Sequence, residues 1–323
     1  MRVAIVGAGV SGLAAAFRLK QLGEEVVVFE KSGGLGGRVN SRKHKLGYTF
    51  DVGATSITPR GKTIDRVMLG NLPTEELVKV EKPIWTHSGL RTAPGSASKN
   101  TTARYNYRHG IQTFANLLGE GTDVRLKTDV LQIKRNGEIY DLAGEQFDAV
   151  ILTPPIPQTC QLLWSLGESR PVANVSYRSC VSVMLGYQTA VETPYHALID
   201  IEQVHPLTWL SVESAKSPDR APQGGSAFVA QLGARFSQQN YAQPDEFFID
   251  ATLSFMKSLY GSAFATPEVA MVKKWKYSQP ESLARFENVN VPGAKLLVAS
   301  DGLMGGHIED AFECGWRAAE MLA

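Results

Sequence analysis

The feature that most constrains this chain is its first thirty residues. Arg2–Val6 is a short apolar run rich in β-branched residues, Gly7–Gly12 spells "GAGVSG", Leu13–Leu22 has helical periodicity and stops at Gly23, and "EVVVF" follows from Glu25 to Phe29. A buried strand, a glycine turn, a helix and a second buried strand form a β-α-β unit. The glycines match G-x-G-x-x-G. Gly7 makes the tight turn, Gly9 lets the backbone approach a pyrophosphate, and Gly12 lets the helix pack on the strand. Free N–H groups and the positive end of the helix dipole, which converge near Ser11, favour phosphate there. Glu30 ends the second strand at roughly the 20-residue spacing where an acid meets a ribose hydroxyl. The fingerprint predicts a dinucleotide and does not choose between a nicotinamide and a flavin.

The next residues bear on that choice. A nicotinamide dehydrogenase would pass from its second strand into an ordinary helix, whereas Glu30–Val39 reads "EKSGGLGGRV". Gly36 and Gly37 bring a second stretch of backbone close to something, and Arg38 sets a fixed positive group beside it. The simplest target is the same pyrophosphate, gripped from its other side, which favours FAD.

The rest of the chain limits what can surround this unit. Its 323 residues exceed one ordinary domain, so two are expected, and 43% hydrophobic residues suffice for their cores. With 33 basic against 32 acidic side chains and no block of like charge, nucleic acid and anionic membrane are not expected partners. Cys160, Cys180 and Cys314 are far apart with no metal-ligand spacing, which predicts a reducing compartment and no metal. The apolar opening contains phosphate-loop glycines and lacks a charged leader, so it reads as strand and helix rather than a secretory signal, and a cytoplasmic address is expected. Val78–Trp85 reads as an alternating run before a turn in "THSGL", and Thr92–Ala103 as a mobile polar loop. Strands and one amphipathic helix, Phe247–Tyr260, fill the middle section. The end, "AKLLVASDGLMGGHIEDAFECGWRAAEML", reads as a buried strand, a glycine-rich turn and a closing helix. No Ser/His/Asp arrangement, P-loop or paired carboxylates point to catalysis by side chains. No catalytic residue is assigned, since a redox cofactor carries its own chemistry.

The order E-x-x-x-x-x-G-G-R after a dinucleotide fingerprint resembles the monoamine-oxidase-type FAD flavoproteins. "EKSGGLGGRV" followed by "FDVGATS", then "HGIQTFANLLG", "DAVILTPPIPQ", "KWKYSQP" and the C-terminal stretch are similar to the small renalase branch of that superfamily. The resemblance implies an α/β fold: a Rossmann-type FAD domain from residues 1–60, 107–157 and 285–323, with a mixed-sheet substrate domain from 61–106 and 158–284. It implies that Ser11, Glu30, Lys31, Arg38, Thr55 and Ser56 line the cofactor beside the glycines. Val130 would set its backbone against the adenine, Asp301 would meet ribityl or phosphate oxygens, and the helix start at Ile308 would point at the flavin pyrimidine ring. Ser300 stands where the family usually has glycine, and Gly33 where renalases often carry arginine.

FAD held without a covalent bond is expected, because no cysteine or histidine occupies a recognised attachment position. Trp275 and Tyr277, two apart in an extended segment, share a face and are placed beside the substrate or in the core. His307 reads as a capping residue or a flavin neighbour. Cys314 reads as a packed thiol, and Lys273, Lys274 and Lys276 receive no role. Gln231 stands where bacterial renalases tend to carry histidine and cannot titrate near neutral pH; it either meets the substrate or satisfies a strand neighbour. The resemblance implies hydride transfer to FAD from a dihydronicotinamide, NAD(P)H or an isomer, with dioxygen or another acceptor taking the electrons. Amine oxidation, a nicotinamide-only dehydrogenase and a protein that holds FAD without turnover stay as alternatives.

Overall fold

The computed structural model describes residues 1–59, 62–89 and 91–323. Arg2–Val6, Glu25–Glu30, Asp123–Leu126, Ala149–Leu152 and Leu296–Val298 form one parallel five-stranded sheet. Arg2–Val6 lies at its centre, between Glu25–Glu30 and Ala149–Leu152. Val3, Ala4 and Ile5 are wholly buried, as a parallel strand covered on both faces requires. Helix Val10–Gln21 carries the chain between the first two strands and packs against the closing helix, Ile308–Leu322. The crossing is close: a Cβ on Gly315 would lie 1.8 Å from the Ser11 carbonyl oxygen. An antiparallel meander, Lys134–Asn136, Ile139–Leu142 and Glu145–Phe147, leads into the strand Ala149–Leu152. The surrounding apolar core also takes Ile64, Val67, Met68 and Leu72, and Leu162, Leu163, Val172 and Val175, segments that the sequence reading gave to the substrate side.

A second sheet runs in the order Val269–Pro280, Tyr177–Tyr187, Ser226–Leu232, Leu207–Val212, Ala197–Ile199, Ile84–His87, Thr92–Pro94. It is antiparallel except where Ala197–Ile199 runs parallel to Ile84–His87. Alternation gives it two faces. Val181, Val183, Leu185, Phe228, Ala230 and Leu210 pack under helix Asp245–Tyr260, while Met184, Ala227 and Val229 turn toward Tyr48, Phe50 and Val52. That second face therefore meets the segment that follows the second glycine cluster. A Rossmann-type unit joined to a mixed-sheet unit is the expected fold class.

Two local expectations are corrected. The run Val78–Trp85 is not one strand: Leu77–Lys79 pairs with Tyr105–Tyr107, and Ile84–His87 belongs to the large sheet. Pro83 separates them and cannot donate to a ladder. Thr92–Ala103 contains a strand, Thr92–Pro94, and a short helix, Ala97–Asn100. Asn100 holds the segment in place by bonding both the N–H (2.9 Å) and the carbonyl (3.0 Å) of Ile84. The turn in "THSGL" does connect Ile84–His87 to Thr92–Pro94, although Leu90 lies outside the described residues. Among the described residues no helix is long and apolar enough to cross a membrane.

Because the atom facing Gly315 is backbone, Gly315→Ala must push two helices apart. The expected loss is about 1–3 kcal/mol, the range for overpacking a core, read as a lower urea midpoint; an unchanged midpoint contradicts the close crossing.

Candidate functional site

The two glycine clusters meet each other. The Gly36 N–H donates to the Ala8 carbonyl (2.8 Å), and Gly9 and Gly36 form an isolated parallel bridge. Gly36 and Gly37 have φ of 101° and 57°, in the left-handed region that glycine tolerates. A Cβ on Gly12 would lie 2.0 Å from the Gly7 carbonyl oxygen, so the helix packs tightly on its turn. A Cβ on Gly9 would meet nothing within 4 Å. Gly9 is thus the position where the loop surface is open, as approach by a pyrophosphate requires. Glu30 joins the clusters: it accepts from the Ala8 N–H at 2.8 Å and from the Ser32 N–H at 2.7 Å, and it is buried. Lys31 beside it is exposed. Val130 lies near this end, because Lys127 and Thr128 donate to the Ser32 and Glu30 carbonyls at 2.9 Å. The Ser11 hydroxyl donates to the Ala299 carbonyl.

The other end is organised by Arg38 and Asp301. Arg38 Nη1 lies 2.6 Å from Asp301 Oδ2 and also donates to the Ser278 and Tyr277 carbonyls at 3.1 and 3.3 Å. One guanidinium therefore ties the second glycine cluster to the C-terminal unit and to the longest strand of the second sheet. The Asp301 carboxylate also accepts from Tyr177 (2.8 Å) and Ser300 (3.2 Å), so the serine in the usual glycine position is hydrogen-bonded. Tyr277 packs edge-on against Tyr177 at 5.8 Å. Trp275 Nε1 donates to the Val52 carbonyl (2.9 Å) and Gln231 Nε2 to the Gly53 carbonyl (2.6 Å), pinning the chain just before Thr55 and Ser56. Those two residues are half-buried, and Thr58 in turn donates its N–H to Glu309, beside Ile308 at the start of the closing helix. Trp275, Tyr277, Gln231, Thr55, Ser56, Asp301 and Ile308 belong to segments linked in this way.

His307 is in a capping position. Its N–H and Nδ1 both lie 3.0 Å from Asp310 Oδ2, and its side chain is exposed. Cys314 is fully buried, its thiol packed 3.3 Å from the Ser300 carbonyl and pushed up in pKa by burial, which suits a packed thiol. Lys273 lies 4.9 Å from the Trp275 ring and Lys276 5.4 Å from the Tyr277 ring. Burial, then Arg42, lowers the Lys273 pKa.

Sequence reasoning missed the feature that joins the two sheets. Asp51, Glu213, Lys216 and Arg220 form a charge cluster whose side chains have no solvent exposure. Arg220 reaches Asp51 at 2.6 Å and also Glu213, and Lys216 lies 2.7 Å from Glu213 and 3.3 Å from Asp51. Arg220 further donates to Asn106 and to the Tyr107 carbonyl, while Asp51 accepts from Ser41 (2.8 Å) and the Ile111 N–H (2.9 Å). Asn106 donates to the Thr55 carbonyl at 2.8 Å, which connects this cluster to the candidate site. Burial alone would raise the Asp51 carboxyl pKa, but Arg220 and Lys216 outweigh it and hold it well below the usual range.

The comparisons with known proteins agree with this geometry. A family model of NAD(P)-binding Rossmann-like domains matches residues 5–68, and one of flavin containing amine oxidoreductases matches residues 84–323. The chain belongs to the flavin-containing amine oxidoreductase family, FAD-dependent enzymes of the oxidoreductase class. A 4,4'-diapophytoene desaturase from Staphylococcus aureus (strain Newman) is 53% identical over 57 residues, a match covering 18% of this chain and 11% of the desaturase. Among solved structures, a protein from Exiguobacterium sp. 255-15 assigned as a protoporphyrinogen oxidase superposes with a TM-score of 0.78 at 15% identity, over 99% of this chain and 98% of the other. Putrescine oxidase with putrescine bound gives 0.74 at 14% identity, over 99% and 98%. At such identity the likeness shows the fold, and a shared fold does not fix a substrate.

The open surface at Gly9, where the two backbone loops meet, with Glu30 at one end and Arg38–Asp301 at the other, fits FAD. Arg38→Ala should weaken FAD binding by about 1.5–3 kcal/mol, the scale of a hydrogen bond to a charged group, and Glu30→Ala should weaken it too. Unchanged FAD affinity on reconstitution of Arg38→Ala would contradict that use of the arginine. Acid should destabilise the fold through groups whose folded pKa lies below the unfolded value. Burial, and then His205, lowers His87 to about 4, and burial holds His196 at about 4, so their contribution is full above about pH 6.5 and fades as pH falls through 4. Asp51 adds a loss below about pH 4, its ordinary value. Denaturant midpoints should therefore drop from pH 7 to pH 4; a flat profile would contradict the buried neutral histidines.

Proposed function

We propose that this protein oxidises a planar donor of the dihydronicotinamide type, NAD(P)H or an isomer, with FAD as the hydride acceptor and dioxygen as the final electron acceptor. The observation that carries the reading is the strand Val269–Pro280, where Trp275 and Tyr277 alternate with lysines held over their rings. Flat aromatic faces suit a stacked ring, and Lys273 and Lys276 suit the phosphates of a dinucleotide.

A protonated amine fits less well. Asp301 is already matched by Arg38, and Asp51 and Glu213 by Arg220 and Lys216, and the charges held over the aromatic pair, Lys273 and Lys276, are positive.

Bound FAD supplies the redox chemistry, taking the hydride and passing the electrons on. The chain's own work is positional. Gly9, Gly36 and Gly37 cradle the pyrophosphate, Glu30 takes the ribose, Val130 lies against the adenine, and Arg38 with Asp301 holds the flavin end, with Thr55, Ser56 and the helix start at Ile308 around it. Trp275 and Tyr277 orient the donor. A dihydropyridine that gives up a hydride becomes a pyridinium, so its oxidation releases no proton and needs no general base; the one proton taken up when dioxygen is reduced to peroxide would come from solvent. Residues 1–60, 107–157 and 285–323 act as the FAD domain in this reading and the remainder as the substrate domain.

Purified protein should be yellow, and acid precipitation should release all its flavin, since the attachment is non-covalent. Anaerobic mixing with dihydronicotinamide isomers should bleach the flavin within seconds. Bleaching by a simple primary amine, with none by any dihydronicotinamide, would overturn the substrate in favour of an amine; no bleaching by either would favour a protein that holds FAD without turnover.

A further inference from the structure

The hairpin that follows the second glycine cluster carries charge that the proposed reaction has not yet used. Ser41–Lys43 and Thr49–Asp51 pair antiparallel, with Arg42 directly opposite Phe50. Directly opposed residues project to the same side of a ladder. Phe50 is wholly buried in the cluster of Tyr48, Val52 and Met184, against which Met271 and Trp275 pack. Lys273 lies between those last two on the strand Val269–Pro280 and shares their side, because side chains of a strand alternate. Register therefore brings Arg42 and Lys273 to the rim of one apolar cluster, beside the Trp275 ring, whose centre lies 4.9 Å from Lys273 Nζ.

No acid balances these cations. Arg42 is exposed, as are Lys43 and Lys45 on the same hairpin, and Lys273 is half-buried. Burial, then the Arg42 charge, lowers the Lys273 pKa, and no carboxylate acts to raise it. Lys216 and Arg220, by contrast, each meet two carboxylates. Like charges brought together repel, and a rim that holds two of them uncompensated favours an anion. We infer that Arg42 and Lys273 hold a phosphate group of the donor, so that the protein takes a nucleotide in preference to the bare nucleoside.

The chemistry of the pair suits that group. A phosphate monoester carries close to two negative charges and three free oxygens, enough for both cations at once, where a carboxylate carries one charge. Guanidinium offers a planar fork that phosphate oxygens take in pairs, and the ammonium adds a point charge. A ring stacked on the aromatic pair is separated from its own 5′-phosphate by a single ribose, which places the phosphate within reach of Lys273. The inference rests on the reading that Trp275 and Tyr277 orient the donor, and it deepens that reading by naming a second group recognised.

The test is isothermal titration calorimetry on the FAD-loaded protein at low ionic strength, with nicotinamide mononucleotide and nicotinamide riboside, which differ only in the phosphate. The native protein should bind the mononucleotide roughly tenfold more tightly, the scale of a hydrogen bond between charged groups. Arg42→Gln and Lys273→Met should each raise the mononucleotide Kd toward that of the riboside and leave the riboside Kd within about twofold; Arg42→Lys should keep part of the preference. Inorganic phosphate should compete with the mononucleotide, and acetate at matched ionic strength should not. Equal affinity of the native protein for the two probes, no binding of either, a preference unchanged in both charge-removing variants, or equal competition by acetate overturns the inference. Flavin bleaching reports the reaction separately. Bleaching by the reduced riboside and the reduced mononucleotide without any phosphate preference in binding would keep the hydride reaction and reject this site, whereas phosphate-dependent binding in a protein that neither bleaches would keep the site and reject the reaction.

Discussion

The interaction on which the rest depends is the buried charge cluster of Asp51, Glu213, Lys216 and Arg220. Two acids and two bases cancel, and none of the four side chains reaches solvent. Burying such charges stabilises little by itself, but removing one partner leaves its neighbours uncompensated and costs about 3–5 kcal/mol. The consequence is geometric. Asp51 and Asn106 belong to the segments around the glycine loops, whereas Glu213, Lys216 and Arg220 follow the strand Leu207–Val212 of the large sheet. The cluster therefore fixes how the sheet's polar face meets the residues after Arg38, and the bonds from Trp275 and Gln231 to Val52 and Gly53 extend that contact toward Thr55.

On the other side, Arg38 does for the C-terminal unit what Arg220 does for the sheet. Its one guanidinium reaches Asp301 and the Tyr277 and Ser278 carbonyls, so three distant stretches of sequence converge on a single side chain. The second glycine cluster makes this geometry accessible, because Gly36 and Gly37 let the chain fold back against Gly9 before Arg38 emerges. The run Gly36-Gly37-Arg38 is thus also a structural joint.

Much of this was legible in local sequence. The β-α-β opening, the second glycine cluster and the closing strand, turn and helix carry their own signals in glycine spacing and apolar runs. The ion cluster was not legible: "VESAKSPDRAP" has the composition of a solvated loop, and only contacts with Asp51 and Asn106, more than a hundred residues away, bury it. The segment after Thr92 reads as a loose loop because the order Asn100 imposes comes from a partner sixteen residues earlier.

The most direct test of the account is a crystal structure of the yellow, FAD-loaded protein. The account predicts the pyrophosphate on the open surface at Gly9, where the Gly36–Gly37 loop meets it, the ribose on Glu30, and the ring system beside Trp275 and Tyr277 with Asp301 at its near end. FAD bound with its pyrophosphate away from both glycine loops, or with its ring system remote from the strand Val269–Pro280, would contradict it.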